Sequence, residues 1–202
     1  MLSLDTAVTE LNYTVDPEEL QEFYRIVKSE YSENMWTWAK NKSHIDDTAA
    51  GELVKTAQTT MYGWPLQSNL LDKTIPPSVL KTKYPTGEWY DTDLMFGLAK
   101  RIYERIPYSY RWTLFVLPPG GCVPRHSDQG EYVIHIPIQW HKDAIFVVGN
   151  NNYSLTGIGK SYVVDVEIPH ETVNNSTKDR VGLIYRIPRN KLSDLLGVTG
   201  TI

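Results

Sequence analysis

The sequence predicts a mainly β protein, a sandwich or small barrel backed by N-terminal helices, and two textures carry that prediction. From Trp112 onward, short apolar runs alternate with turns rich in Gly, Pro and Asn, the spacing of a sandwich or small barrel. Before it lie amphipathic stretches that need an apolar surface to cover, and one face of a sheet supplies it. At 202 residues an elaborated single domain fits better than two small ones. Its parts are a helical segment at 1–110 and a β core at 111–190.

Each element has a local reason. "VDPEELQEFYRIVKSEY" opens with Asp16 as N-cap, Pro17 at the first helical position and Glu19 three residues after the cap, the signature of a helix start. Leu20, Phe23, Tyr24, Val27 and Tyr31 follow at helical spacing. "AAGELVKTAQTTM" reads as a weaker helix, and "KTIPPSVLKTKYPTGEWY" as a loop punctuated by Pro and Gly. Asp91 is expected to cap a helix with Leu94, Met95, Leu98, Ile102 and Ile106 on one side. The strand candidates are "WTLFVL", "EYVIHIPIQ", "AIFVV", "YSL", "SYVVDV", "ETV" and "VGLIYRI". Between them lie the turns "PPGG", "GNNN", "TGIGK" and "NNSTKD". In "EYVIHIPIQ", Tyr132, Ile134, Ile136 and Ile138 share one face and Val133, His135, Pro137 and Gln139 the other. The first face is a base for helices; the second lines a cavity and carries a histidine.

Composition narrows the function. The chain is 41% apolar and 22% charged, ordinary for a soluble globular protein. Its net charge of −4 with no basic run gives nucleic-acid binding no electrostatic support. The single cysteine, Cys122, excludes an internal disulfide framework. No window approaches the ~20 apolar residues of a membrane span, and the N-terminal stretch lacks a secretory pattern. The expectation is a cytoplasmic protein, with the Asn-x-Ser/Thr matches at Asn152 and Asn175 accidental.

The chemistry concentrates in residues 117–128, "LPPGGCVPRHSD". His126 and Asp128 stand two apart, which on extended chain aims both side chains to one side. An imidazole and a carboxylate so placed suit a metal; equally, His-x-Asp alone describes a solvated turn. A facial site needs a third donor from another strand. His170 qualifies, lying between two β runs, and Arg180 follows ten residues later at a strand start. An arginine there is a surface residue or the bidentate partner of a bound carboxylate.

Together these pieces resemble the Fe(II)- and 2-oxoglutarate-dependent oxygenases, specifically the aspartyl/asparaginyl β-hydroxylase-type branch, which includes amino-acid and proline hydroxylases. "PPGGCVPRHSD" is similar to the branch's approach to its His-x-Asp, and "IHIPI" to its His-Ile-Pro-Leu strand. "GIGKSYVVDVEIPH" is similar to its run into the distal histidine, and "HETVNNSTKDR" has the spacing from His170 to Arg180. The resemblance spans about residues 112–187. It implies a double-stranded β-helix, the jelly-roll or cupin-like barrel, with Fe(II) held by His126, Asp128 and His170. It further implies that Arg180 binds the remote carboxylate of 2-oxoglutarate, with His135 and Ser176 also reaching that cosubstrate. The implied reaction hydroxylates a C–H bond of an amino acid, a peptidyl side chain or another small polar substrate, consuming O₂ and releasing succinate and CO₂. Ascorbate is a supportive reductant. Two departures leave the substrate open. Val133 stands where the β-hydroxylases have an arginine, and Asp128 stands where they have glycine, nearer the amino-acid hydroxylase pattern.

Other readings stand beside this one. A jelly-roll module that binds a metal or ligand without turnover has no need of a carboxylate-matched arginine. A non-oxidative cupin-type metalloenzyme usually brings more histidines and a glutamate. Cys122 with His126 lacks the orienting third group of a nucleophilic pair. Asn174 is expected in a structural turn, and His44 and His141 on the surface. Selectivity is expected in the N-terminal helices and in "KYPTGEWYDTD" and "HSDQGEY".

Overall fold

The structure is a computed structural model that describes residues 6–37, 61–68 and 89–202. In chain order the elements are β1 (Val8–Thr14), α1 (Pro17–Glu30), β2 (Trp36–Thr37), β3 (Tyr62–Pro65), β4 (Gln67–Ser68), β5 (Tyr90–Asp91) and α2 (Gly97–Arg105). Then come β6 (Tyr110–Leu117), β7 (Cys122–His126), β8 (Glu131–Gln139), β9 (Ala144–Val148), β10 (Asn151–Tyr153), β11 (Lys160–Asp165), β12 (His170–Asn174) and β13 (Arg180–Pro188). A short helix α3 (Leu192–Leu196) and β14 (Gly200–Thr201) end the chain.

Two sheets carry the core. The larger has the order β14-β1-β11-β8-β13-β6-β3-β2, the smaller β10-β9-β12-β7. The eight strands β6 to β13 therefore alternate between the sheets as β6-β13-β8-β11 against β7-β12-β9-β10. Each sheet thus takes strands in turn from both ends of this segment, the winding of a double-stranded β-helix. The sheets face one another without closing into a hydrogen-bonded barrel.

The alternation of "EYVIHIPIQ" sorts as the sequence indicates. Tyr132, Ile134, Ile136 and Ile138 join the outer core with Leu20, Phe23 and Val27 of α1 and Leu98, Ala99 and Ile102 of α2. Val133 packs inward with Phe146, Val148, Val164 and Val166 from the two sheets. The helix α1 begins as expected, the Asp16 carboxylate accepting from the backbone N–H of Glu18 at 2.8 Å and of Glu19 at 3.1 Å.

Several local expectations change. The segment before residue 110 is not only helices and loops: β1 pairs with β11, and β3 pairs with β6. Asp91 does not cap α2. It lies in β5, where its carboxylate takes Lys100 at 2.8 Å and Gln67 at 3.0 Å. The helix starts later, at Gly97, because Phe96 before it is extended at φ −127, ψ 172, and the chain turns into the helix through Gly97 at φ +50. β10 forms from "NNY" rather than "YSL", since Gly149 at φ +61 closes a tight turn after β9. β7 is a strand the apolar pattern does not mark. It lies at a sheet edge, where Pro124 is tolerated. The weaker helix in "AAGELVKTAQTTM", most of the "KTIPPSVLKTKYPTGEWY" loop and His44 lie outside the described residues. No helix among the described residues is long and apolar enough to cross a membrane.

Candidate metal centre and buried anion pocket

β7 and β12 are antiparallel neighbours, and their register sets His126 directly opposite His170. The two rings lie with centroids 4.2 Å apart. Asp128 follows the end of β7, tied to the facing sheet by its backbone N–H donating to Val166 O at 2.8 Å. One ligand atom from each of His126, Asp128 and His170 lies within 4.8 Å of the other two. The histidines are oriented alike. His126 Nδ1 sits 2.7 Å from Pro124 O and His170 Nδ1 3.1 Å from Ile168 O. A carbonyl accepts only, so each Nδ1 carries the proton and each Nε2 keeps its lone pair for a metal. Burial and the neighbouring His126 lower the His170 pKa to about 4, which keeps that imidazole neutral. Two imidazoles and one carboxylate on one side are the donor set of a facial Fe(II) site with open positions, so these residues fit the ion the sequence implies.

Behind the triad runs the inner face of the larger sheet. Along β13, Arg180, Gly182, Ile184 and Arg186 point to it by strand alternation. Arg180 occupies one end. It is 1% exposed, among the largest fully buried side chains, and its Nε and Nη1 are buried without a hydrogen-bond partner. Its guanidinium carbon lies 3.5 Å from the centroid of Trp140, with the Phe115 and Phe146 rings at 5.2 and 5.6 Å. The aromatic box supports a cation without satisfying its donors, so burial holds the Arg180 pKa well below its usual value. Gly182 comes next along β13. A Cβ there would meet Phe115 Cε1 at 2.8 Å, so the missing side chain lets the Phe115 ring pack against the sheet.

His135 lies between this pocket and the triad. It pairs across strands with Ile184 and touches Phe146 at 5.1 Å between centroids, and Phe146 in turn touches the His170 ring. Its Nδ1 is buried without a partner. Desolvation, then the Arg180 charge, hold its pKa well below the usual histidine value.

Asn174 and Ser176 form the turn that leads to Arg180. Asn174 donates to Leu117 O at 2.7 Å and Lys178 O at 2.8 Å, and its Oδ1 accepts from the Ser176 N–H and hydroxyl. Asn174 is thus structural, as its place suggests. The Ser176 hydroxyl also spends its proton inside this turn. His141 is half-exposed beside Asp143.

The other end of the face was not singled out in the sequence. Arg186 lies directly opposite Val133. It donates to Glu131 at 2.6 Å and to the triad carboxylate of Asp128 at 3.3 Å. A guanidinium therefore reaches the neighbourhood of Val133 from the adjoining strand. Trp140, Phe115 and Phe146 were likewise missed as the walls of the Arg180 pocket. Period-two alternation from Arg180 would have flagged Arg186; nothing local marks the aromatic box.

With this geometry in view, the comparisons with known proteins fall into place. Residues 101–190 match the aspartyl/asparaginyl beta-hydroxylase family. The matched span contains every site residue named above and agrees with the resemblance carried by the motifs. No curated protein matches the chain. Among solved structures it is similar to one described as a predicted oxalate decarboxylase from Thermotoga maritima, at 21% identity over 43% of this chain and 73% of that one, TM-score 0.35. It is also similar to a cupin domain from Bordetella pertussis, at 25% identity over 38% and 79%, TM-score 0.33. A Klebsiella pneumoniae protein with a double-stranded beta-helix domain matches at 17% identity over 41% and 69%, TM-score 0.35.

Proposed function

We propose that this protein is an Fe(II)- and 2-oxoglutarate-dependent hydroxylase. The observation that carries the reading is Arg180, a buried guanidinium with two unsatisfied donors on the inner face behind a His-Asp-His triad. An unpaired buried charge is costly. It is retained where an anion completes it, and a planar fork of donors matches a carboxylate.

His126, Asp128 and His170 would hold the iron. Iron held there, with 2-oxoglutarate and O₂, would supply the oxidising power for hydroxylating an unactivated C–H bond, with succinate and CO₂ as co-products. The chain's own residues do the rest. The Nδ1 contacts to Pro124 and Ile168 fix both histidine tautomers. Arg186 orients the Asp128 carboxylate. Arg180 draws in the remote carboxylate of 2-oxoglutarate, the aromatic box keeps water from it, and Gly182 lets Phe115 close against the sheet as one wall of that box. His135, neutral and with a buried Nδ1 to offer, adds a polar contact along the cosubstrate's path. Ser176 acts through the turn that positions Arg180. The substrate is an amino acid, a peptidyl side chain or another small polar molecule.

The deciding experiment is binding of N-oxalylglycine, a cosubstrate mimic, with and without Mn(II) as a redox-silent stand-in for iron. Metal-dependent binding that Arg180→Met abolishes supports the proposal. Metal binding with no response to the mimic favours a jelly-roll module that only binds, or a non-oxidative cupin-type enzyme.

A further inference from the structure

The metal end of the inner face carries a second irregular arginine. Between β6 and β13 the register runs Ile184↔Thr113 and then Arg186↔Tyr110. Arg111 and Trp112 therefore stand opposite the single residue Tyr185, which is a β-bulge. Trp112 stacks on Tyr185 at 4.1 Å with a 12° tilt, leaving Arg111 as the extra residue. Arg111 has φ +56, the one positive φ outside glycine among the described residues. A bulky side chain there is strained, and bulges beside active sites re-aim side chains.

The re-aimed guanidinium is itself incomplete. Arg111 Nη1 is buried without a hydrogen-bond partner. It follows Tyr110, which lies opposite Arg186 and whose hydroxyl donates to Glu131 at 2.8 Å, and Arg186 in turn donates to Asp128, so the bulge sits at the triad's end of the face. Both of these carboxylates already receive Arg186. Burial and the Arg186 charge push the Arg111 pKa down to about 9, so it still carries its charge at neutral pH.

Arg180 and Arg111 belong to opposite ends of the β6–β13 pair: Arg180 lies opposite Leu117, whereas Arg111 follows Tyr110, which lies opposite Arg186. Arg180 faces the cosubstrate from the end remote from Arg186, and Arg111 stands at the Arg186 end. The second incomplete guanidinium stands on the triad's side, where a substrate must lie to present its C–H bond.

We infer that Arg111 is a binding residue for the prime substrate, pairing with a carboxylate that the substrate carries, such as that of a free amino acid. This inference rests on the hydroxylase reading above. It places the substrate's anionic group at the β6 bulge, with the reacting carbon between that group and the triad.

The test is thermal-shift titration of the full chain with Mn(II), with and without N-oxalylglycine. The probes are the common L-amino acids, each beside its α-carboxamide. Wild type, Arg111→Gln and Arg111→Lys are compared. At least one amino acid is expected to bind wild type while its carboxamide does not. Affinity falls about tenfold or more in Arg111→Gln and partly returns in Arg111→Lys. Free of ligand, Arg111→Gln melts at or above wild type, because it keeps the backbone and loses an incompletely paired buried cation. The inference is overturned if Arg111→Gln binds the amino acid as wild type does. It is equally overturned if acids and amides bind alike or not at all, or if Arg111→Gln alone is destabilised. A missing response to N-oxalylglycine counts against the hydroxylase reading, while the acid-against-amide comparison still reports on Arg111.

Discussion

Replacing Arg180 by methionine separates stability from ligand binding, because the structure gives the two opposite signs. The guanidinium leaves Nε and Nη1 buried and unsatisfied, at about 1–3 kcal/mol each. Its contact with Trp140 at 3.5 Å returns about 2 kcal/mol. Methionine keeps much of the apolar stem and removes the orphaned donors. The ligand-free variant is then more stable by about 2 kcal/mol, or about 4–8 °C in Tm for a chain of this size. A ligand at a hundred times its Kd stabilises by about 2.7 kcal/mol, and the variant loses that gain. So Arg180→Met melts above wild type alone, and the order closes or reverses with Mn(II) and N-oxalylglycine. Scanning calorimetry in the two conditions reads both. A ligand-free variant that melts well below wild type refutes the reasoning, because the guanidinium would then hold the fold together rather than await an anion.

Two more outcomes follow from the same face. His135 is held neutral when folded, burial and the Arg180 charge keeping its pKa well below the ordinary histidine value of 6.5, whereas the unfolded chain takes up the proton near that value. Its contribution is therefore intact above about pH 6.5 and is lost as pH falls toward the folded value. Between pH 7 and pH 5 wild type therefore loses stability through this residue; urea unfolding at the two pH values should show a smaller loss in His135→Gln, and equal losses refute the assignment. Gly182→Ala puts a Cβ 2.8 Å from Phe115 Cε1 and is expected to cost about 1–3 kcal/mol and, by displacing a ring of the Arg180 box, to weaken N-oxalylglycine; unchanged affinity by calorimetric titration would show that Phe115 does not shape the mimic's site.

Much of this was legible in the sequence, and the omissions have physical causes. The strand "EYVIHIPIQ" alternates apolar-out and cavity-in, so its register and the inward His135 could be read directly. The triad and Arg180 were legible as spaced motifs. β7 was not, because a half-exposed edge strand carrying Pro124 has no apolar alternation. β1 shows Leu11 and Tyr13 buried among exposed neighbours, a short period-two signal that was present and overlooked. The start of α2 was misplaced because Asp91 looks like a cap, while the backbone at Gly97 decides where the helix can begin. Arg111 was illegible: nothing in "YSYRWTL" announces a bulge, which exists only once β6 and β13 are paired. The aromatic box around Arg180 draws on β6, β9 and the turn after β8, a meeting that only the fold produces.

The central claim is that the triad and Arg180 form one oxidative site. It is tested most directly by succinate formation from 2-oxoglutarate by the purified protein with Fe(II), ascorbate and O₂, before any prime substrate is known. Slow turnover that is lost in His126→Ala and in Arg180→Met is the expected result. No succinate, together with no metal-dependent binding of 2-oxoglutarate, would contradict it.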